Sequence, residues 1–146
     1  MSKIVPLISS GVAGPLGVLH LPRLWLKSSL EARGNLADGY PGCGKGYDQM
    51  VLDGLGLDRT KTLAFIKDKR PTYPEFEAWI KSQPGVKLDR ASIIKLNAAI
   101  TGYIHDDSTR KSIMAANGLK DDGSVPDAVN LNNLDDWKEF HTSFLK

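Results

Sequence analysis

Asp89-Arg-Ala-Ser-Ile93-Ile-Lys-Leu96-Asn97-Ala-Ala-Ile100-Thr-Gly-Tyr-Ile104 is the stretch that decides the fold class. Asp89 is a residue type that caps helices, and Ile93, Leu96, Asn97, Ile100 and Ile104 follow it at i, i+3, i+4, i+7 and i+11. That spacing puts all five on one helical face, whereas a half-buried strand alternates with period two. The helical period recurs to either side. On the N-terminal side, Thr72 can cap a helix with Pro74 in its first turn and Phe76, Trp79 and Ile80 on one face, stopped by Pro84 and Gly85. Asp58 can cap a helix carrying Leu63 and Ile66, and a short helix runs from Tyr47 to Leu55, closed by Gly54 and Gly56. Pro22 suits a first turn, after which Leu24, Trp25, Ser28 and Ala32 keep helical spacing as far as Gly34. On the C-terminal side, a helix with Ile113 and Met114 follows Asp107 or Ser108 and closes at Gly118. Residues 119–133 read as loop, and a last helix carries Leu134, Trp137, Phe140, His141 and Phe144 on one side. No convincing alternating strand occurs. The expectation is an all-α fold, a compact irregular bundle of six or seven short helices with a Gly-rich loop. Trp25, Trp79 and Trp137 are expected as core anchors, and His141 as a core histidine.

The length of 146 residues gives a single helical domain, 1–146. Within it, Ile4 to Pro22 carries no charge if His20 is neutral, but Pro6, Gly11, Gly14, Pro15, Gly17 and Pro22 interrupt it. A membrane span needs about 20 predominantly apolar residues in an unbroken helix. Residues 1–19 are therefore expected as an apolar N-terminal arm lying on the domain, neither signal peptide nor span, and a cytoplasmic location follows.

Nineteen basic and seventeen acidic side chains give a net charge of +2. A nucleic-acid binder would carry a clear basic excess, so no nucleic-acid partner is expected. The single Cys43 excludes an intrachain disulfide framework and a cysteine-rich zinc site. The charge is unevenly divided. Residues 1–73 hold ten basic and six acidic side chains, a balance of +4; residues 74–146 hold nine and eleven, a balance of −2. Opposite-signed halves suit a homodimer.

The positive half contains the most distinctive run, Tyr40-Pro-Gly42-Cys43-Gly44-Lys45-Gly46-Tyr47-Asp48. Glycines let a backbone turn with its N–H groups exposed, a following helix N-terminus adds positive potential, and Lys45 adds a full charge. Together they suit a carboxylate or phosphate; the same loop also serves as a plain connection between helices. The nucleotide P-loop spacing, and the strand that should precede it, are both missing, which excludes nucleotide hydrolysis. Cys43 in this setting is a candidate nucleophile, since a helix N-terminus and a lysine favour thiolate. His20, Arg23, Lys27 and Glu31 follow i, i+3, i+7 and i+11. Arg23 and Lys27 would reinforce an anion site or form a solvated face, and His20 could exchange a proton near neutral pH. Asn97, an amide in an apolar stripe, needs hydrogen-bond partners and could orient a ligand. His105-Asp106-Asp107 has the residue types of metal ligands, but adjacent helical side chains diverge, and no metal site is expected.

Taken in order, Leu21-Pro-Arg23-x-x-x-Lys27, Gly44-Lys45-Gly46-Tyr47-Asp48, Thr72-x-x-Glu75-Phe76-x-x-Trp79, Asn97 with Asp107 downstream, and an aromatic C-terminal helix at Trp137 and Phe140 resemble the bacterial domain-of-unknown-function family 5069 over residues 17–141. The resemblance implies a small bacterial cytosolic protein and no established activity. This chain departs from the family pattern at Cys43, where members often have an aliphatic residue. It departs again at Tyr103-Ile104-His105, where they tend to have Arg-Gly-Trp.

The functional expectation is a lyase- or isomerase-type enzyme needing no cofactor and acting on a small anionic organic substrate. Arg23, Lys27, Gly44, Lys45, Gly46 and Asn97 would hold the substrate, and His20, Tyr47 or Asp48 would move a proton. The alternative is a non-catalytic small-ligand-binding or protein-interaction module built on the same loop. No membrane partner is expected.

Overall fold

Helix boundaries follow the capping side chains closely in the computed structural model, which describes residues 3–146. Seven α-helices are present among them: α1 (Leu21–Ala32), α2 (Tyr47–Leu55), α3 (Arg59–Lys69), α4 (Tyr73–Lys81), α5 (Arg90–Thr101), α6 (Asp107–Ala116) and α7 (Ala128–Phe140). A π-helical turn, His141–Leu145, extends the last. Asp58, Thr72, Asp89, Asp106 and Asp127 each accept a hydrogen bond from a backbone N–H in the first turn of the helix that follows. Thr72 and Glu75 form a reciprocal capping box, Thr72 Oγ1 accepting from Glu75 N and Glu75 Oε1 from Thr72 N. Each such cap is worth about 1 kcal/mol. Among the described residues the only β pairing is two isolated bridges, Ile4 with Leu36 and Ala13 with Leu19. The all-α expectation holds, with seven helices.

Leu21 and Leu24 of α1, Val51, Leu52 and Leu55 of α2, Phe76 and Ile80 of α4, Ile100 of α5 and Ala128 of α7 are fully buried together. α1 packs on α2, α3 and α4, while α2 packs on α5 and α5 on α7. Gly54 is what lets α2 approach α5, because a Cβ there would stand 2.6 Å from Leu96 Cδ1. The N-terminal arm is pinned at several points. Ile4 pairs with the chain beside Leu36, Leu16 N donates to Glu77 Oε2, and Asn97 brackets the arm's end. In that bracket, Asn97 Nδ2 donates to Gly17 O at 2.7 Å and Oδ1 accepts from Leu19 N at 3.0 Å. No helix among the described residues is long and apolar enough to cross a membrane.

Four expectations are corrected. The loop read as 119–133 ends early, because Asp127 caps α7 and the helix begins at Ala128. Ile104 lies past the end of α5 and is exposed. Trp137 is exposed where a core anchor was expected, while Trp25 and Trp79 do pack against the core. His141 is exposed at the start of the π turn. The last two share a cause. The inward face of α7 is Ala128, Leu131, Asn132, Asp135 and Asp136, at i, i+3, i+4, i+7 and i+8, and three of those five are polar.

Candidate functional site

His20 caps α1 with φ at 69°, in the left-handed region that a non-glycine residue occupies at a cost of about 1–3 kcal/mol. Its backbone is held there by His20 N donating to Val12 O and by His20 O accepting from Leu24 N. The conformation places the imidazole, 2 % exposed, between the arm and α2. Nε2 lies 2.6 Å from Asp48 Oδ1 and Nδ1 lies 2.9 Å from Ser10 Oγ. Burial lowers the imidazole pKa; the bond to Asp48 and its charge pull the other way, and Lys27 and Arg23 add to the lowering. His20 is therefore neutral at neutral pH, with Nε2–H donating to Asp48 and Nδ1 accepting from the Ser10 hydroxyl. Asp48 Oδ2 in turn accepts from Lys27 Nζ at 2.6 Å and from Gly44 N at 2.7 Å. Burial pushes the Asp48 carboxyl up, but the His20 hydrogen bond and the Lys27 ammonium outweigh it and hold the group well below the usual carboxylate range.

This network gives the Gly-rich loop a definite occupant. The carboxylate that the Gly44 amide and Lys27 hold is Asp48, from the first turn of α2, where a helix N-terminus also favours negative charge. The Gly42 amide is likewise taken, by Glu31 Oε2, and a Cβ on Gly42 would collide with the Glu31 side chain. The loop carbonyls of Cys43 and Gly44 accept from Arg59, a residue the sequence reading did not single out. Cys43 lies half-buried beside the core rather than in the pocket wall. Burial first and the Asp48 charge second push its thiol up, outweighing Arg59 and Lys27.

Arg23 is committed inward too. Its guanidinium donates to Asp136 at 2.6 and 3.0 Å and to the carbonyls of Pro6 and Ile8 at 2.8 and 2.9 Å. Tyr40 donates to the same Asp136 at 3.0 Å. Tyr47 donates to Ile100 O at 2.6 Å, away from solvent, and its phenol is pushed up to about 12, chiefly by burial. Asn97 spends its amide on the arm and lies outside the pocket.

The pocket has a volume of about 300 Å³. His20, Arg23, Lys27, Gly44, Lys45, Gly46, Tyr47 and Asp48 all line it, so the structure brings eight of the ten expected site residues to one cavity and leaves out Cys43 and Asn97. The far wall comes from segments where the sequence reading placed no site residue: Tyr103 and His105 before α6, and Asn132, Asp135 and Asp136 on α7. Three charged groups and one imidazole decide what the cavity offers. Lys45 is exposed and has no ion pair among the described residues. Asp135 has no hydrogen bond or ion pair there, while its neighbour Asp136 is fully engaged. Burial, and then the charges of Asp136 and Glu139, raise the Asp135 carboxyl. His105 Nε2 lies 2.8 Å from Asn132 Oδ1, and an N–H donated to that oxygen leaves Nδ1 with its lone pair. Among the described residues no group of three or more His, Cys, Asp or Glu side chains is gathered as for a metal ion.

Compared with protein-family models and with curated proteins, the chain matches none.

Proposed function

We propose that the protein binds a small anionic organic molecule in the 300 Å³ pocket and moves a proton on it, in a reaction of the lyase or isomerase type. The observation that carries this reading is the convergence of Lys45 and His105 on one small cavity, each with a reactive end free. Lys45 supplies the charge for the anionic group. His105, its tautomer set by Asn132, presents Nδ1 as the proton acceptor, a task suited to imidazole near neutral pH. The His20–Asp48–Lys27 cluster forms a rigid polar floor, and Tyr47 and Tyr103 give an aromatic side wall with ring centroids 5.3 Å apart. A cavity of this size is at the lower end of small-molecule sites and suits a metabolite of few atoms. The setting that goes with this reading is the bacterial cytoplasm, and a homodimer is its assembly.

The second reading is binding without turnover. It is favoured by His20, Tyr47 and Asp48, whose polar atoms are bonded to Ser10, Ile100, Lys27, Gly44 and one another. A thermal-shift screen of small carboxylates and phosphorylated compounds tests both. A ligand at one hundred times its dissociation constant should raise stability by about 2.7 kcal/mol. Lys45→Ala should abolish that rise; an unchanged rise in the variant, or no ligand from the screen, would sink the site. With a ligand in hand, His105→Asn should slow turnover by about 100-fold or more while leaving affinity unchanged. Affinity without turnover in the unsubstituted protein selects the binding module.

A further inference from the structure

The cations and carboxylates of the pocket nearly cancel in pairs. Arg23 is held by Asp136 and Lys27 by Asp48, and His20 is neutral. What remains is one ammonium, Lys45, and one carboxylate, Asp135. They come from different segments, the loop before α2 and the third turn of α7, and no ion pair joins them within 4.0 Å. A simple anion would satisfy Lys45 and leave Asp135 unpaired in the same half-buried lining. A ligand bearing both signs would satisfy both.

We infer that the ligand of this pocket is a small zwitterion, an amino-acid-like compound whose anionic group meets Lys45 and whose ammonium meets Asp135. The inference rests on the proposed site and narrows its ligand class. Two further features support it. Asp135 stands beside Asp136 and one helical turn from Glu139, and burial with these two carboxylates outweighs Arg23 and His105 in raising its carboxyl, so a cation placed there relieves it. Tyr103, a residue exposed at 39 %, is on the same lining and supplies an aromatic ring of the kind that attracts ammonium groups.

The test is an NMR titration of the full, isotope-labelled chain with three matched sets. These are glycine, β-alanine and γ-aminobutyrate; acetate, propionate and butyrate; and methylamine, ethylamine and propylamine. At least one amino acid should shift the amide signals of both residues 44–48 and residues 132–136. It should bind about tenfold or more tighter than its matched carboxylate and amine, the worth of one charge-assisted hydrogen bond. Asp135→Asn should remove that advantage and leave carboxylate binding intact, and Lys45→Gln should weaken amino acid and carboxylate alike. Carboxylates binding as well as their amino acids, with Asp135→Asn without effect, would overturn the zwitterion and leave the anion site standing. Amines binding as tightly as the amino acids would overturn it as well. If neither carboxylates nor amino acids shift residues 44–48, the anion site fails and the zwitterion with it.

Discussion

His20 shows how one residue ties the arm, α1 and α2 into a single chemical unit. Its left-handed backbone would be strained anywhere, yet here it delivers a neutral imidazole to two partners that each need a particular nitrogen. The protonation state has a consequence for stability. In the unfolded chain His20 takes up a proton near its ordinary pKa of 6.5, whereas in the folded protein burial lowers that value. Below 6.5 the unfolded state therefore binds more protons, and stability must fall as pH falls. Asp48, also depressed, adds a second loss once pH drops below 3.8, its ordinary value. Urea unfolding at pH 7.5 and 5.5 should show the wild type weaker at the lower pH. His20→Asn, which tolerates the left-handed backbone and cannot titrate, should shrink that difference. An unchanged difference in the variant would assign the proton elsewhere. Much of this site was visible in sequence, since His20, Arg23, Lys27 and Asp48 are chemically unusual where they stand. Their partners were not visible. Nothing in the run Gly44-Lys45-Gly46-Tyr47-Asp48 says that the carboxylate held by the Gly44 amide and Lys27 will be the loop's own Asp48.

At the scale of elements, legibility depended on whether the inward face was apolar. α5 was read correctly as far as Ile100, because Leu96 and Ile100 lie on its buried side, whereas Ile104 falls past its end. α7 was read on the wrong side, because Leu134, Trp137 and Phe144 are more hydrophobic than Asn132, Asp135 and Asp136, which turn inward to line the cavity. A polar residue at a helical core position is the signal that marks a site, and it is invisible to any pattern that counts only apolar side chains. Asn97 is the counter-example. It stood out in an apolar stripe for the same reason, but its amide serves architecture, gripping the arm at Gly17 and Leu19. Asn97→Ala should lower the unfolding free energy by about 1–3 kcal/mol, the cost of leaving backbone groups without partners. The loss should also be local. Hydrogen exchange at Leu19 N should accelerate far more than at Leu52 or Leu55 in the core, and an arm that remained as protected as in the wild type would remove Asn97 from this role.

For the whole molecule, the decisive connection is Arg23, which joins the two ends of the chain. One guanidinium on α1 reaches the arm through Pro6 O and Ile8 O, and α7 through both oxygens of Asp136, which also accepts from Tyr40 in the loop. Both Arg23 and Asp136 line the pocket, so the connection is also part of its wall. The pair is buried on both sides, at 7 % and 4 % side-chain exposure, so its desolvation cost is large and is offset only while every hydrogen bond is made. Arg23→Met leaves Asp136 as an unpaired buried carboxylate, and Asp136→Leu leaves an unpaired guanidinium. Each should destabilise by about 3–5 kcal/mol. That is a large part of the roughly 5–15 kcal/mol that holds a typical domain folded. The double variant removes both charges and replaces them with apolar volume, so it should recover part of the loss rather than show the sum. Recovery should be incomplete, because the double variant also leaves the Pro6 and Ile8 carbonyls and the Tyr40 hydroxyl without these partners. Chemical denaturation of the four proteins gives the coupling energy directly. Simple additivity would mean that Arg23 and Asp136 act independently, and the arm and α7 would then have to be held together by the apolar core alone.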